Sequence, residues 1–181
     1  MNIKELYRLR KLGSGGASHQ DMVPHMEGLK NLAEMCNHCT EFGVRTGQST
    51  IALACGLSNT RGGTLRSYDV NEPQFEWQVP ANLDWHFRKA DTSLLSDIEP
   101  TDLLFIDTLH NAQQVRAELK YATFVRRFLV FHDVQMFGTV GEQGGGINEA
   151  ILEFLAENSD WRVKAYEHST WGMLTLERTT R

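Results

Sequence analysis

The sequence predicts an α/β fold: a doubly wound, mostly parallel sheet of seven strands with an antiparallel edge formed by the C-terminal strands. Three observations support this prediction. Short strand-like apolar segments alternate with segments of helical periodicity along most of the chain. The segment 101–107 is a nearly continuous apolar run, as expected for a strand buried on both faces of a parallel sheet. Two further strand-like segments close the chain with no helix between them.

Length and composition are those of one globular domain. The chain has 181 residues, of which 41% are hydrophobic and 23% charged, so it is large enough for a core and too short for two ordinary domains. The net charge of -5 argues against a nucleic-acid-binding surface. No apolar run could span a bilayer, the N-terminus has no secretory signal core, and three cysteines do not suggest a disulfide framework. We therefore expect a cytoplasmic protein without nucleic-acid or membrane partners, and composition leaves open whether it forms a homo-oligomer.

The first twenty residues are expected to form a helix and a hinge or lid ahead of the sheet-bearing domain, residues 21–181. A helical pattern over residues 1–12 (Leu6, Leu9, Leu12) ends at the glycine-rich segment 13–16. Asp21 is then the predicted N-cap of a second helix. The apolar stripe of that helix predicts core packing against the sheet and consists of Met22, Met26, Leu29, Ala33 and Cys36.

The spacing of Cys36 and Cys39 is that of a redox motif or of half a zinc site. A structural zinc needs four ligands, and the sequence has no second pair at suitable spacing. A redox pair normally follows a strand, whereas this pair precedes one. We interpret the two residues as buried thiols.

The segment 40–50 is the centre of the predicted ligand site, because a strand, a glycine-bearing turn and a helix follow one another there. The dinucleotide fingerprint would need glycine at positions 43, 45 and 48, but Arg45 and Gln48 occupy the last two. NAD and FAD are therefore disfavoured. The next strand, 63–70, ends at Asp69, which follows Gly47 by about the offset at which a carboxylate meets ribose hydroxyls.

The remaining elements continue the alternation. Strands are predicted at 83–88, 101–107 and 127–133, and near 161–166 and 171–177. One helix carries Ala112, Val115, Leu119 and Ala122 on one face, and another carries Ile147, Ile151, Phe154 and Leu155. A glycine-rich loop, 138–146, precedes the second of these helices. The predicted fold is therefore Rossmann-like.

Acidic and imidazole side chains recur where the predicted strands end. In an open α/β sheet the carboxyl ends of the strands meet at one edge, where ligands bind. Several separate strands bring such residues to this edge, which is difficult to explain by solubility. These residues are Glu41, Asp69, Asp91, Asp107, His110, His132 and Asp133.

The pattern Glu-x-Gly-x-x-x-Gly at 41–47 resembles the first motif of class I S-adenosylmethionine (SAM)-dependent methyltransferases. It is most similar to the branch of catechol O-methyltransferase and the type 24 methyltransferases. The resemblance implies SAM as cofactor, with Asp69 on the ribose and the segment 90–92 near the adenine. The SAM-binding residues it implies are Glu41, Gly43, Val44, Arg45, Gly47, Ser49, Asp69, Val70, Asp91 and Thr92.

The segments 105–110 and 130–134 resemble the fourth and fifth strand ends of type 24 methyltransferases, and the resemblance covers roughly residues 21–178. It implies a divalent cation, Mn²⁺ or Mg²⁺, on Asp107, His132 and Asp133, with His110 as general base beside Asp107. His132 departs from the family, because metal-dependent relatives have an acid there. Imidazole is a poor ligand for Mg²⁺ and suits Mn²⁺, Fe²⁺ or Zn²⁺ better. Either the metal differs, or His132 is a second base and no metal binds.

These inferences predict a SAM-dependent methyltransferase that methylates an oxygen of a sugar or another small hydroxylated acceptor. The loop around Glu142 would form a lid that excludes water. The amino-acid sequence of the segments 105–110 and 130–134 also resembles that of small methyltransferase-like proteins of bacteria and their phages. Two alternatives remain open: a SAM-binding protein that senses or cleaves SAM, and a non-enzymatic interaction module of a phage or glycan locus.

Overall fold

Seven strands form one sheet in the computed structural model, which describes residues 1–13 and 21–179. They are β1 His38–Phe42, β2 Gly63–Asp69, β3 Leu83–Lys89, β4 Thr101–Ile106, β5 Val125–His132, β6 Trp161–Glu167 and β7 Met173–Arg178. The α-helices are α1 Ile3–Lys11, α2 Met26–Ala33, α3 Gln48–Ser58, α4 Ala112–Leu119 and α5 Ile147–Glu157. Short 3₁₀ segments lie at Val23–His25, Thr92–Leu94 and Lys120–Phe124.

The strand order is β3-β2-β1-β4-β5-β7-β6, and β1 to β5 are parallel. Strand β7 pairs antiparallel with both β5 and β6, so the predicted antiparallel C-terminal edge is confirmed. The chain runs outward from β1 to β3 and returns to β4 on the other side of β1. The strand order therefore reverses between β1 and β4, which places a ligand crevice at the carboxyl ends of these two strands.

The helices cover both faces of the sheet, each over its own apolar cluster. Helices α1, α2 and α3 pack together on one face, and α4 and α5 pack together on the other. Every residue of β4 is buried, which explains its continuous apolar sequence. The stripe of α2 lies in the first cluster, as predicted. None of the described helices is both long and apolar enough to cross a membrane.

The structure corrects several local predictions. Asp21 does not cap a helix, because a 3₁₀ turn intervenes and His25 occupies the N-cap position of α2. The buried face of α1 consists of Ile3, Tyr7 and Arg10, while Leu12 is exposed. Ala122 lies in a 3₁₀ segment after α4, and β7 begins two residues after Trp171. Cys36 and Cys39 are free and buried, as predicted. Most of the predicted hinge falls in residues 14–20, outside the described residues.

Candidate functional site

A cavity of about 480 Å³ opens at the carboxyl ends of β1, β2 and β4. Parallel strands deliver their last residues to this edge, so most of the sequence-predicted site residues line it. Those residues are Gly43, Val44, Arg45, Asp69, Val70, Asp91, Thr92, Asp107, His110 and Asp133.

The glycine turn after β1 forms one wall of the cavity. Gly43 and Gly47 have φ values of 89° and 77°, a region that favours glycine. A Cβ atom at Gly43 would collide with the carbonyl oxygen of Asp107, so a larger residue would separate the ends of β1 and β4. A Cβ atom at Gly47 would collide with the ring of Phe75. The two glycines therefore permit the positive φ values of the turn, and they also let the Asp107 backbone and the Phe75 ring approach it closely.

Asp69, at the end of β2, holds this turn in place. One of its carboxylate oxygens accepts hydrogen bonds from the backbone N–H groups of Val44 (2.8 Å) and Arg45 (3.1 Å). The other accepts from the backbone N–H of Asn71 at 2.8 Å. Arg45 has a φ of 46°, an uncommon conformation for a residue with a side chain, and its N–H bond to Asp69 helps to hold it there.

Glu41 lies behind the cavity wall and not on it. Its buried carboxylate accepts hydrogen bonds from Ser49 Oγ (2.5 Å), Thr50 Oγ1 (2.8 Å) and Ser67 Oγ (2.7 Å). Burial raises the pKa of Glu41 to about 7, even though these hydroxyl groups favour the charged form. Glu41, Ser49 and Gly47 were all predicted to bind the cofactor, but none of them is among the lining residues. Their observed role is to connect β1, the turn and α3.

A second buried acid, Glu118 on α4, organises the opposite end of the cavity. Thr108 Oγ1 and Gln114 Nε2 donate hydrogen bonds of 2.9 Å to its carboxylate, and Thr92 Oγ1 donates another. Burial raises the pKa of Glu118 to about 7. Thr92, Thr108 and Gln114 all line the cavity, so Glu118 fixes three of its polar groups.

Two histidines and two aspartates converge where β4 and β5 end. His110 Nε2 lies 2.7 Å from Asp133 Oδ2 and 3.5 Å from Asp107 Oδ1. His132 Nδ1 lies 2.9 Å from Asp133 Oδ1 and 3.5 Å from Asp107 Oδ1. Side chains of successive strand residues point to opposite faces. Here β5 ends at His132, and Asp133 turns into the left-handed region at a φ of 63°, so both side chains reach Asp107.

The ring of His110 is enclosed on several sides. It stacks on Phe137 with a centroid separation of 4.5 Å, and its Nδ1 lies 3.2 Å from a carboxylate oxygen of Glu142. The backbone N–H of Glu142 donates to the carbonyl of His110 at 2.9 Å. The glycine-rich loop after β5 therefore packs on His110 and orients its ring.

The charges in this cluster strongly affect one another. Burial alone would lower the pKa of each histidine, but the neighbouring carboxylates outweigh it and raise the pKa of His110 and of His132 to about 10. Burial would raise the pKa of Asp107, but His132 and His110 outweigh it and hold that pKa well below its ordinary value. The carboxylates therefore favour the protonated form of both imidazoles when no cation is present.

The donor set of this cluster fits a divalent cation. Two groups of described residues have one ligand atom each within 4.8 Å of one another: Asp107, His110 and Asp133, and Asp21, His132 and Asp133. Both ring nitrogens of His132 and Oδ1 of Asp133 are buried without a hydrogen-bond partner among the described residues. Buried polar atoms normally have partners, so these atoms suit a ligand. The predicted trio of Asp107, His132 and Asp133 is divided between the two groups.

Several residues that line the cavity were not predicted as site residues: Asp21, Tyr68, Thr108, Gln114 and Trp171. Trp171 comes from the turn before β7, and Gln114 comes from the first turns of α4. The one available signal was Glu118, an acid on the apolar face that the helix presents with Val115 and Leu119. A buried acid at such a position indicates a polar group nearby.

Comparison with solved structures identifies the fold. The chain is similar to an O-methyltransferase from Bacillus cereus in complex with S-adenosylhomocysteine (SAH), with 17% identity, a TM-score of 0.63 and coverage of 97% of this chain and 90% of that one. It is also similar to the Streptomyces achromogenes O-methyltransferase TomG, involved in tomaymycin synthesis and solved with SAM (18%, 0.62, 98% and 89%). The N-methyltransferase NodS from Bradyrhizobium japonicum, solved with SAH, is similar as well (15%, 0.62, 99% and 100%). The fold alone therefore does not decide between oxygen and nitrogen acceptors.

Sequence comparison identifies the family. No curated protein matches the chain. A family model described as a methyltransferase domain, the type 24 model, matches residues 40–134. This match begins in β1, ends just after Asp133, and so includes the glycine turn and most of the cavity. The chain therefore belongs to this methyltransferase family.

Proposed function

We propose that the protein transfers the methyl group of SAM to a hydroxyl oxygen of a small acceptor such as a sugar. The observation that supports this proposal best is the position of His110. Its ring lies on the cavity wall beside Asp107, whose backbone contacts the glycine turn. A donor held at that turn would bring its methyl group next to a group that can take a proton.

The glycine turn and Asp69 are proposed to hold the donor. Gly43 and Val44 would face its methionine part, and Asp69 would accept hydrogen bonds from the ribose hydroxyls. Asp91 and Thr92, with Gln114 beside them, would face the adenine. The Glu118 carboxylate accepts hydrogen bonds from Thr92 and Gln114, so the fold itself positions these two side chains for the donor.

His110 is proposed to accept the proton of the acceptor hydroxyl. The sulfonium of SAM is already an activated leaving group, so the reaction requires alignment and a deprotonated oxygen. Asp133 and Asp107 hold Nε2 of His110, and Phe137 covers one face of its ring. With no cation present, these carboxylates raise the pKa of His110 to about 10, which favours the protonated ring. A cation on Asp107 and Asp133 would offset their charge and favour the neutral ring, which can accept a proton.

A divalent cation is proposed at the same cluster, on the sequence-based ligand set Asp107, His132 and Asp133. Such a cation would lower the pKa of an acceptor hydroxyl bound to it. Because His132 supplies imidazole where metal-dependent relatives supply an acid, Mn²⁺ is expected to fit better than Mg²⁺. Asp133 would connect the cation to the base, since its second oxygen contacts His110.

The experiment that tests the proposal uses SAM labelled in its methyl group and a panel of sugars and other hydroxylated compounds. We expect SAH to form only when an acceptor is present, with the label on an acceptor oxygen. SAM breakdown without an acceptor would indicate a SAM-cleaving enzyme. SAM binding without turnover on any acceptor would favour a sensor, and failure to bind SAM would contradict the proposal.

A further inference from the structure

We infer that Asp21 is a protein ligand of the cation, completing a site with His132 and Asp133. The inference rests on the cation of the proposed function but assigns it a ligand from another part of the chain. Asp21 lies before α2 and outside the residues that match the family model. One ligand atom from each of these three residues lies within 4.8 Å of the others.

The distances suit a single ion. Metal–ligand bonds to nitrogen and oxygen are about 2.0–2.6 Å long, so two ligand atoms of one ion lie at most about 5 Å apart. A set of one imidazole and two carboxylates matches Mn²⁺, Fe²⁺ or Zn²⁺. Asp21 also lines the cavity, so an ion bound to it would be accessible to an acceptor hydroxyl.

His132 supplies the independent evidence that this cluster binds a ligand. Its side chain is fully buried, and both ring nitrogens lack a hydrogen-bond partner among the described residues. Nδ1 lies 2.9 Å from Asp133 Oδ1, but the contact does not have hydrogen-bond geometry. Buried ring nitrogens without hydrogen bonds are unfavourable, and a cation could bind one nitrogen of the neutral ring together with the carboxylates of Asp21 and Asp133.

The two oxygens of Asp133 explain why the cation and the base can coexist. Oδ2 lies 2.7 Å from His110 Nε2, whereas Oδ1 faces His132. In the group of Asp107, His110 and Asp133, His110 would itself have to be a ligand, and a ring nitrogen bound to a cation could not take a proton. The cation is therefore assigned to the other group, Asp21, His132 and Asp133.

The structure also holds Asp21 in position. Thr170 Oγ1 donates a hydrogen bond of 2.8 Å to the backbone carbonyl of Asp21 and lies 3.1 Å from His25 Nε2. The buried His25 ring packs edge-on against His132 with a centroid separation of 5.3 Å. Thr170 has a φ of 49°, which is a strained conformation for a β-branched residue. Thr170, which holds Asp21, and the proposed ligand Asp133 thus both have a positive φ.

The test is a Mn²⁺ titration followed by electron paramagnetic resonance, carried out without SAM so that it does not depend on the donor. Asp21→Asn should weaken Mn²⁺ binding by about tenfold or more, because a ligand becomes neutral. Asp84→Asn makes the same change at an exposed position on β3 and should leave binding unchanged. Binding by Asp21→Asn as tight as by the wild type would overturn the inference, and so would a wild type that binds no Mn²⁺.

Co²⁺ spectra separate a ligand from a carboxylate that is merely nearby. At saturating Co²⁺, Asp21→Asn should shift the visible d–d bands, whereas a lost remote charge would weaken binding without changing the bands. Unchanged bands in Asp21→Asn with shifted bands in Asp107→Asn would overturn the inference and leave the sequence-based ligand set. A wild type that binds Mn²⁺ but not SAM would contradict the proposed function and leave the cation site standing.

Discussion

Two buried acid clusters lie on the same cavity and differ in how their carboxylates are satisfied. Both oxygens of Glu118 accept hydrogen bonds, which come from Thr92, Thr108 and Gln114. Asp133 Oδ2 contacts His110 Nε2, whereas Asp133 Oδ1 has no hydrogen bond among the described residues. Burial of an acid therefore does not by itself mark a reacting centre. The distinguishing feature is a buried acid whose polar partners are incomplete.

The two clusters also differ in charge. Neutral donors surround Glu118, so burial dominates and raises its pKa to about 7. Two imidazoles surround Asp107 and outweigh its burial, so its pKa lies well below the ordinary value. The first cluster is suited to hold other side chains in place, and the second to bind charge or move a proton.

The largest expected effect is on the chemical step. His110→Ala should lower the rate of methyl transfer by about a hundredfold or more, because general-base catalysis typically contributes that much. SAM affinity, measured by calorimetry, should stay close to that of the wild type. His86→Ala, at an exposed position on β3, is the matched control. A His110→Ala protein that keeps more than about a tenth of the activity would remove His110 from the mechanism.

The second effect is on stability and concerns Glu118, whose carboxylate oxygens both accept hydrogen bonds. Because the pKa of Glu118 is raised above its ordinary 4.5 to about 7, the folded protein keeps a proton that the unfolded chain releases between these values. The free energy of unfolding should therefore fall as the pH rises through this window, by up to about 3 kcal/mol for this group.

Glu118→Gln should remove this part of the pH dependence. The free energy of unfolding of the Glu118→Gln protein, relative to that of the wild type, should therefore increase from pH 5 to pH 8. Urea unfolding at several pH values measures the difference. Glu72→Gln, an exposed position, is the control and should show no such trend. A constant difference between Glu118→Gln and the wild type would show that Glu118 is charged throughout.

The third effect is on donor affinity. Asp69→Ala should weaken SAM binding by about tenfold or more, because each hydrogen bond to a charged acceptor contributes about 1.5–3 kcal/mol. Asp69 also holds the turn through Val44 and Arg45, so Asp69→Asn, which keeps one acceptor oxygen, should lose less. Unchanged affinity in Asp69→Ala would rule out its assignment to the ribose.

The smallest effect is on the choice of metal at the cluster that contains His132 and Asp133. The wild type should be several-fold more active with Mn²⁺ than with Mg²⁺, and His132→Asp should reverse this preference, because Mg²⁺ prefers oxygen ligands. The measurement is methyl transfer after exhaustive chelation and metal addition. Activity that survives chelation in the wild type, together with an inactive His110→Ala, would leave a general-base mechanism without a metal.

The sequence predicted the fold more completely than the site. Strands such as β4 are recognisable because a buried parallel strand must be apolar on both faces, and the residues after them reach one edge for topological reasons. Glu41 lies within β1 and not after it, so its side chain enters the interior and misses the cavity. Asp21, Gln114 and Trp171 reach the cavity from a turn, a helix and a late loop. Only tertiary packing decides that, and no local pattern reveals it.

The most direct test of the account is the distance between the donor methyl group and the metal. SAM carrying a ¹³C-methyl group can be followed by NMR on the protein, with Mg²⁺ or with paramagnetic Mn²⁺ present. We expect Mn²⁺ to broaden the methyl resonance of bound SAM strongly, and Asp133→Asn to abolish the broadening while SAM remains bound. A resonance that stays sharp on the wild-type protein at saturating Mn²⁺ would show that the carboxylate–histidine cluster does not place a cation beside the methyl donor.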